Sequence, residues 1–154
     1  MTKIRYQEFD RRRAQLVGTL HGRLLEIGAG TGANFDCLAA DAEWIGLEPD
    51  AAARAELDAN AAARGYRTPA LSSFAEAIPL DSASVDAVLG TAVLCSVRDP
   101  AAVLAELDRG CHWDRDTAAL LQASSLRGDL QRMDIAQGLL PSVPAILFAG
   151  TASA

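Results

Sequence analysis

The chain has 154 residues, half of them hydrophobic, and carries a formal net charge of −6 with a pI near 4.8. This length and composition predict a single domain over residues 1–154 with a core of its own. The acidic balance argues against nucleic acid as a main partner, because phosphate binding needs a basic face. Three unevenly spaced cysteines predict neither a disulfide framework nor a metal site. No signal-peptide pattern and no apolar stretch of the ~20 residues that span a bilayer are present, so we expect a cytoplasmic protein without a transmembrane segment.

The spacing of apolar residues predicts alternating helices and strands of an α/β domain, without repeats or a linker. In chain order the expected elements are a helix over residues 6–20, strand one over 23–27, a helix over 34–39, strand two over 44–48, a helix over 51–64, strand three over 66–71 and strand four over 85–90. Pro69 confines strand three to a sheet edge, because proline has no N–H to donate to a neighbouring strand. Strand four is almost continuously apolar, which predicts burial on both faces.

Polar residues at the expected helix starts predict caps. Asp50 precedes the alanine-rich helix, which Gly65 is expected to end. Asp99 precedes a helix with Pro100 at its first position. Ser73 and Glu76 form the S-x-x-E pattern of a capping box, which predicts a short helical turn.

The pattern is weaker beyond Gly110. Asp114 or Asp116 can cap a helix that runs through Leu126. Strand-like patterns follow at residues 130–135 and 145–149, and we interpret them as an antiparallel pair.

Residues 24–32 read LLEIGAGTG, an apolar run followed by an acid and three glycines. Glycines permit turn conformations that a Cβ forbids, and they let a ligand approach bare peptide groups. The helix expected next points unpaired N–H groups at such a ligand. The pattern therefore predicts a nucleotide-cofactor loop.

Two cofactor classes use such a loop, and Glu26 discriminates between them. Counting from Gly28, the string GAGTGA satisfies the dinucleotide fingerprint G-x-G-x-x-G/A with Ala33 in the last place. A carboxylate at position 26 would repel a pyrophosphate, whereas it suits the sulfonium and α-amino groups of S-adenosylmethionine. The alternative is that Glu26 only caps a helix or lies on the surface.

A second acid follows the second expected strand. Glu48 ends the run WIGLE, about twenty residues beyond the first glycine, where a carboxylate can accept both ribose hydroxyls. The alternative is that only Asp50 matters, as the cap of the next helix.

These motifs resemble those of class I S-adenosylmethionine-dependent methyltransferases, in EIGAGTG (26–32), GLEPD (46–50) and AEAIPLD (75–81). Within that class, TAVLCSV (91–97) followed by Asp99 and Pro100, and GCHWDRDT (110–117), are similar to the branch that acts on small molecules, thiols and phospholipid headgroups. The resemblance implies a doubly wound, mostly parallel Rossmann-like sheet of order three-two-one-four with an antiparallel closing strand pair. It implies S-adenosyl-L-methionine as the cofactor.

The resemblance and the residues together predict the site. The expected cofactor-binding residues are Glu26, Gly28, Ala29, Gly30, Thr31, Gly32, Asn34, Glu48, Pro49, Ala75, Glu76 and Thr91. The backbone of Ala75 and Glu76 is expected to approach adenine. Candidates for contact with the methyl acceptor are Thr91, Cys95 and His112, and His112 is either a base or a packing residue.

One departure from the family concerns a fifth strand. In the family, a turn, a strand and a further segment follow the helix that begins after Asp99, whereas here residues 107–110 run straight into Cys111. The sheet is therefore expected to be shortened, with the last strand able to pair directly with strand four. Otherwise strand four presents an apolar edge, which favours association such as a homodimer.

The sequence thus predicts methyl transfer from S-adenosylmethionine to a small-molecule acceptor. One alternative is a non-catalytic remnant that binds S-adenosylmethionine or S-adenosylhomocysteine. The other is a fragment of a nicotinamide-dependent oxidoreductase, which rests on the Ala33 fingerprint match.

Overall fold

A computed structural model describes residues 2–81, 84–93, 96–99, 102–103, 126–137 and 140–152. Its elements in chain order are β1 (Thr2–Arg5), α1 (Tyr6–Val17), β2 (Arg23–Ile27), a 3-10 helix (Phe35–Cys37), β3 (Glu43–Leu47), α2 (Ala51–Ala63), β4 (Ala87–Gly90), β5 (Leu126–Gln137) and β6 (Leu140–Ala152). They form two three-stranded sheets. The site described below is built on the one of order β3-β2-β4.

The β3-β2-β4 sheet is parallel throughout. Its central strand β2 is buried at every position after Arg23, because both of its faces are covered. Leu25 and Ile27 pack on one face with Leu47 and Val93. Leu24 lies on the opposite face, where it packs with Val17, Ala42 and Leu89. The predicted α/β class with a mostly parallel sheet is confirmed.

The expected third strand is reduced to one parallel bridge. Leu71 pairs with Leu47 at the outer edge of β3, where the Leu71 N–H donates to the Gly46 carbonyl at 2.7 Å. The edge position and the order three-two-one-four are thus confirmed. A full strand over 66–71 is wrong, which agrees with Pro69 having no N–H to extend the ladder.

The helices begin after the residues that were predicted to cap them. The Asp50 side chain accepts the N–H of Ala53 at 2.8 Å, and Gly65 follows α2 with a φ of +90°. Asp99 likewise accepts the N–H of Ala102 at 3.1 Å. The helix expected over 34–39 is only the 3-10 turn, since the backbone is already extended at Leu38.

Strand β4 is shorter and more exposed than predicted. It covers Ala87–Gly90, and Val88 is 40% exposed while Leu89 is buried. Burial on both faces is therefore wrong. Among the described residues, β4 is an edge strand with β2 as its neighbour, and its Leu89 face contributes to the core while its Val88 face is exposed.

The antiparallel closing pair is confirmed, but its place is not the one expected. β5 and β6 pair along almost their whole lengths, and β6 lies at a sheet edge, where Pro141 and Pro144 are tolerated. The third strand of this sheet is β1, which runs parallel to β5. The last strand could have paired with strand four, but it does not: β6 pairs with β5 in the other sheet, and β4 pairs with β2. Leu126 belongs to β5, and the expected caps Asp114 and Asp116 lie outside the described residues.

Within the described part of the chain, no helix has the length and apolar character needed to cross a membrane.

Gly46 in β3 allows the Trp44 indole to lie across the strand. A Cβ at position 46 would stand 2.3 Å from Cζ2 and 2.4 Å from Cη2 of Trp44. We expect Gly46→Ala to lower the free energy of unfolding by about 1–3 kcal/mol, the usual cost of overpacking. Chemical denaturation measures this change.

The same substitution in a Trp44→Phe background is the matched control, because the smaller ring leaves room for the methyl group. The cost of Gly46→Ala should fall there, as a double-mutant cycle detects. An equal cost in both backgrounds would show that the indole is not what excludes a side chain from position 46.

Candidate functional site

A cleft of about 230 Å³ opens at the carboxyl ends of the parallel strands, where open α/β sheets bind their ligands. Its wall combines the start of the glycine loop, the end of β3, the segment around residue 75 and the segment after β4. The lining residues are Gly28, Leu47, Glu48, Pro49, Phe74, Ala75, Glu76, Ala92, Val93, Ser96, Val97 and Arg98.

The three loop glycines all have positive φ, but their surroundings differ. A Cβ at Gly28 would stand 2.3 Å from Cγ2 of Val93, and one at Gly32 would stand 2.1 Å from Cε2 of Phe35. A Cβ at Gly30 would meet nothing within 4 Å. Gly28 and Gly32 are therefore required by packing, whereas Gly30 presents bare backbone to open space.

Glu48 ties the tip of the loop to the end of β3. One carboxylate oxygen accepts the Gly30 N–H at 2.9 Å, and the other accepts the Asp50 N–H at 2.9 Å. The side chain is only 8% exposed, yet it lines the cleft together with Pro49. A carboxyl group held in this way presents its remaining lone pairs at a fixed position.

Other backbone contacts hold the rest of the loop. The Ala29 N–H donates to the Leu47 carbonyl at 3.2 Å, and Ala29 is buried. The Asn60 side chain of α2 donates to the Thr31 carbonyl at 2.8 Å. The loop is thus attached to β3 and to α2.

Glu26 lies beneath the loop and is 1% exposed. Its carboxylate accepts two internal hydrogen bonds, from Nδ2 of Asn34 at 2.6 Å and from Nε1 of Trp44 at 2.8 Å. Burial raises the pKa of Glu26, while the hydrogen bonds from Asn34 and Trp44 and the positive charge of Arg13 partly offset that rise.

Asn34 is also 1% exposed and joins several elements. Its Nδ2 group donates to Glu26 and to the Thr91 hydroxyl, the latter at 2.8 Å. Its Oδ1 accepts a hydrogen bond from the Arg13 guanidinium of α1.

The Glu76 carboxylate has a different partner from the one predicted. It accepts the backbone N–H groups of Arg98 and Asp99, at 3.0 and 3.2 Å. The Ser73 hydroxyl donates to the Ala77 carbonyl at 2.7 Å, and the chain forms a turn there rather than a helix. The capping-box prediction is therefore wrong, because Glu76 holds the segment after β4 against residues 74–76.

Seven lining residues were not among the predicted site residues, and Phe74, Arg98 and Ala92 are the most informative of them. Phe74 is 49% exposed, and the Arg98 guanidinium lies 4.8 Å from its ring centroid. Ala92 has a φ of +54°, the one positive value for a non-glycine residue in the described ranges. Residues 74 and 98 are far apart in sequence, and alanine carries no pattern that predicts a left-handed backbone.

The predicted cofactor residues thus divide into groups. Five of them line the cleft: Gly28, Glu48, Pro49, Ala75 and Glu76. Residues 29–32 complete the loop. Glu26 and Asn34 lie buried beneath it, and Thr91 contacts Asn34. Cys95 and His112 lie outside the described residues.

Among the described residues, no group of three or more His, Cys, Asp or Glu side chains is arranged to hold a metal ion.

Comparison with known proteins identifies the family. Residues 25–113 match the family described as a methyltransferase domain. The match covers more than half of the chain, so the chain belongs to this family. No curated protein sequence matches the chain significantly.

Solved structures show the same fold. A magnesium protoporphyrin IX methyltransferase from Synechocystis PCC 6803, solved with bound S-adenosylmethionine, is 17% identical with a TM-score of 0.66, over 96% of this chain and 79% of that one. A SAM-dependent methyltransferase from Thermotoga maritima is 18% identical with a TM-score of 0.61, over 96% and 95%. One from Aquifex aeolicus is 16% identical with a TM-score of 0.61, over 84% of each chain.

The prediction of a class I S-adenosylmethionine-dependent methyltransferase is confirmed at the level of family and fold. The nicotinamide alternative loses its support, because the glycine loop belongs to a methyltransferase domain.

The open space at Gly30 makes a sharp test of the loop. We expect Gly30→Val to reduce S-adenosylhomocysteine affinity below detection in calorimetric titration, because the branched side chain enters the space that the ligand needs.

Gly65→Val is the matched control, since Gly65 also has positive φ and open space around its Cβ but lies at the end of α2. Both variants should lose similar stability from backbone strain, and only Gly30→Val should lose binding. Wild-type affinity in Gly30→Val would show that the cofactor does not approach this loop.

Proposed function

We propose that the chain transfers a methyl group from S-adenosylmethionine to a small-molecule acceptor, with the cofactor bound along the cleft. The observation that carries this proposal is the open backbone at Gly30, held by Glu48, in a methyltransferase-family chain. Packing accounts for the other loop glycines, whereas the open space at Gly30, which is bonded to Glu48 of the cleft wall, leaves room for a ligand.

The residues of the cleft fit this cofactor. We assign the ribose hydroxyls to Glu48, which is supported by its position in the cleft wall and by the two backbone N–H groups that fix its carboxylate. Ala75, Glu76 and Pro49 line the same space and provide backbone and apolar surface for the adenine. We assign Gly28, Ala29, Thr31 and Gly32 to the loop that holds the methionine part.

The charges near the loop favour a cationic ligand. Glu48 lines the cleft, whereas Glu26 lies buried beneath the loop, so a pyrophosphate would approach the Glu48 carboxylate in a partly desolvated place. The bound cofactor supplies an activated methyl group on a sulfonium, which such a carboxylate attracts.

The protein's own part in the reaction is small. Its residues need to align donor and acceptor, exclude water and, for some acceptors, remove a proton. We assign acceptor contact to the region beyond β4, with Thr91, Cys95 and His112 as candidates, His112 being the candidate base. Thiols, amines and phenols are the acceptor classes to screen.

Glu48→Ala tests the ribose assignment. We expect it to weaken S-adenosylhomocysteine binding by about 1.5–3 kcal/mol, the range for hydrogen bonds to a charged group. Titration calorimetry measures the change. Glu48→Gln should also weaken binding, because its amide turns an N–H group toward the N–H of Gly30 or Asp50.

Asp50→Ala is the matched control, because Asp50 lies two residues away and caps α2 without lining the cleft. It should lower stability by about 1 kcal/mol through the lost cap and leave affinity unchanged. Unchanged affinity in Glu48→Ala, with the fold intact by circular dichroism, would contradict the ribose assignment.

Ligand-dependent melting tests the cofactor class. A ligand that binds only the folded protein stabilises the folded state by about 2.7 kcal/mol when it is present at a hundredfold excess over its Kd. This stabilisation raises the Tm of a domain of this size by several degrees. We expect such a shift with S-adenosylhomocysteine and none with NAD.

Turnover assays with thiols, amines and phenols then separate an enzyme from a non-catalytic remnant. A thermal shift without turnover on any acceptor class would favour the remnant. No shift with either ligand at millimolar concentration would contradict cofactor binding altogether.

A further inference from the structure

The glycine loop is closed at its base by a hydrogen bond between the residues that flank it. Glu26 is the next-to-last residue of β2, and Asn34 follows the loop directly before the 3-10 helix. Nδ2 of Asn34 donates to the Glu26 carboxylate at 2.6 Å, so the two ends of the loop are joined beneath it. We call this pair the clasp.

Three neighbouring elements hold the clasp. Trp44 of β3 donates its indole N–H to the second Glu26 oxygen at 2.8 Å. Arg13 of α1 donates to Oδ1 of Asn34. Thr91, just beyond β4, accepts from Nδ2 of Asn34. The position of the loop is thereby linked to α1, β3 and the end of β4 at once.

The chemistry of the clasp is specific to these two residue types. An amide presents an acceptor at one end and donors at the other, and Asn34 uses the first on a guanidinium and the second on a carboxylate. An aspartate at position 34 would face the Glu26 carboxylate as a like charge in a buried place. A glutamine at position 26 would turn an N–H group toward one of its two present donors.

We propose that Glu26 and Asn34 are positioning residues that set the glycine loop against α1 and β4, and that neither side chain contacts the cofactor. Both residues are 1% exposed, so neither side chain offers a surface to a cofactor, whereas Gly30 at the loop tip is partly exposed. The sequence predicted that Glu26 and Asn34 bind the cofactor, whereas the role assigned here is indirect: they affect binding through the position of the glycine loop. The affinity test of this inference rests on the proposed function.

Exchanging the two groups tests the proposal. Glu26→Gln and Asn34→Asp each break the pattern of donors and acceptors, and we expect each to weaken S-adenosylhomocysteine affinity tenfold or more. In the double variant, the new amide at position 26 donates to the new carboxylate at position 34, which also accepts from Arg13. We expect its affinity to return to within about threefold of the wild type.

Two other combinations of melting temperature and affinity in these variants would overturn the proposal. A purely structural clasp predicts single variants that melt at lower temperature but bind with wild-type affinity when folded. A direct cofactor contact predicts a double variant that regains its melting temperature without regaining affinity, because the carboxylate has moved from position 26.

If Glu26→Gln or Asn34→Asp does not fold, Arg13→Met provides a milder variant. It removes the link to α1 from a side chain that is 17% exposed, and we expect affinity to fall several-fold. Arg11→Met is the matched control, because Arg11 lies on the same helix and pairs with Glu8 away from the clasp. Equal affinity in the two variants would overturn the proposal.

Hydrogen exchange of the ligand-free protein separates this inference from the proposed function. Amide exchange over residues 28–32 should increase in the single variants and return to the wild-type rate in the double variant. If the wild type does not bind S-adenosylhomocysteine, the proposed function fails, and exchange alone then decides the clasp. Exchange that is the same in all variants would overturn it.

Discussion

The carboxylate of Glu26 is the group on which the arrangement of the site depends. It is an acid buried at the centre of a parallel sheet, and a buried charge is costly unless hydrogen bonds compensate it. Trp44 and Asn34 supply those bonds, and each therefore has little freedom to move. Gly46 leaves room for the indole, and the 3-10 turn begins where Asn34 must point inward. The indole at position 44, the glycine at position 46 and the start of the 3-10 turn are thus all explained by the buried carboxylate of Glu26.

Glu26 and Glu48 show that similar acids at neighbouring strand ends can have different roles. Both are bonded to backbone or side-chain donors of the loop region, but Glu48 keeps a face on the cleft and Glu26 does not. The difference arises from the strand positions. Glu26 is followed by one more residue of β2 and points between the sheet and the 3-10 helix, whereas Glu48 lies just after β3 and points to the loop tip.

Local signals in the sequence were sufficient for the parallel sheet and for the helix α2. Glycine spacing and the Asp50 cap are short-range patterns, and they predicted the turns of the loop and the start of α2 correctly, whereas the strand order was implied by the resemblance to the family. Residues brought together by tertiary contacts were missed. Glu76 was expected to cap its own turn but holds residues 98 and 99, and Arg98 lies over Phe74. Strand β1 was missed because a four-residue polar segment pairs only with a partner distant in sequence.

That pairing of β1 has a consequence for the order in which the chain can fold. Thr2 lies beside Met133 in the parallel β1-β5 ladder, so β1 waits for a partner that is synthesised long after it and after the whole β3-β2-β4 sheet. The β3-β2-β4 sheet needs only residues up to Gly90 and can assemble earlier. Contacts between such distant segments carry a larger loop-closure entropy and slow folding. During synthesis, the segment 2–5 therefore remains unpaired for longer than any part of the loop or its clasp.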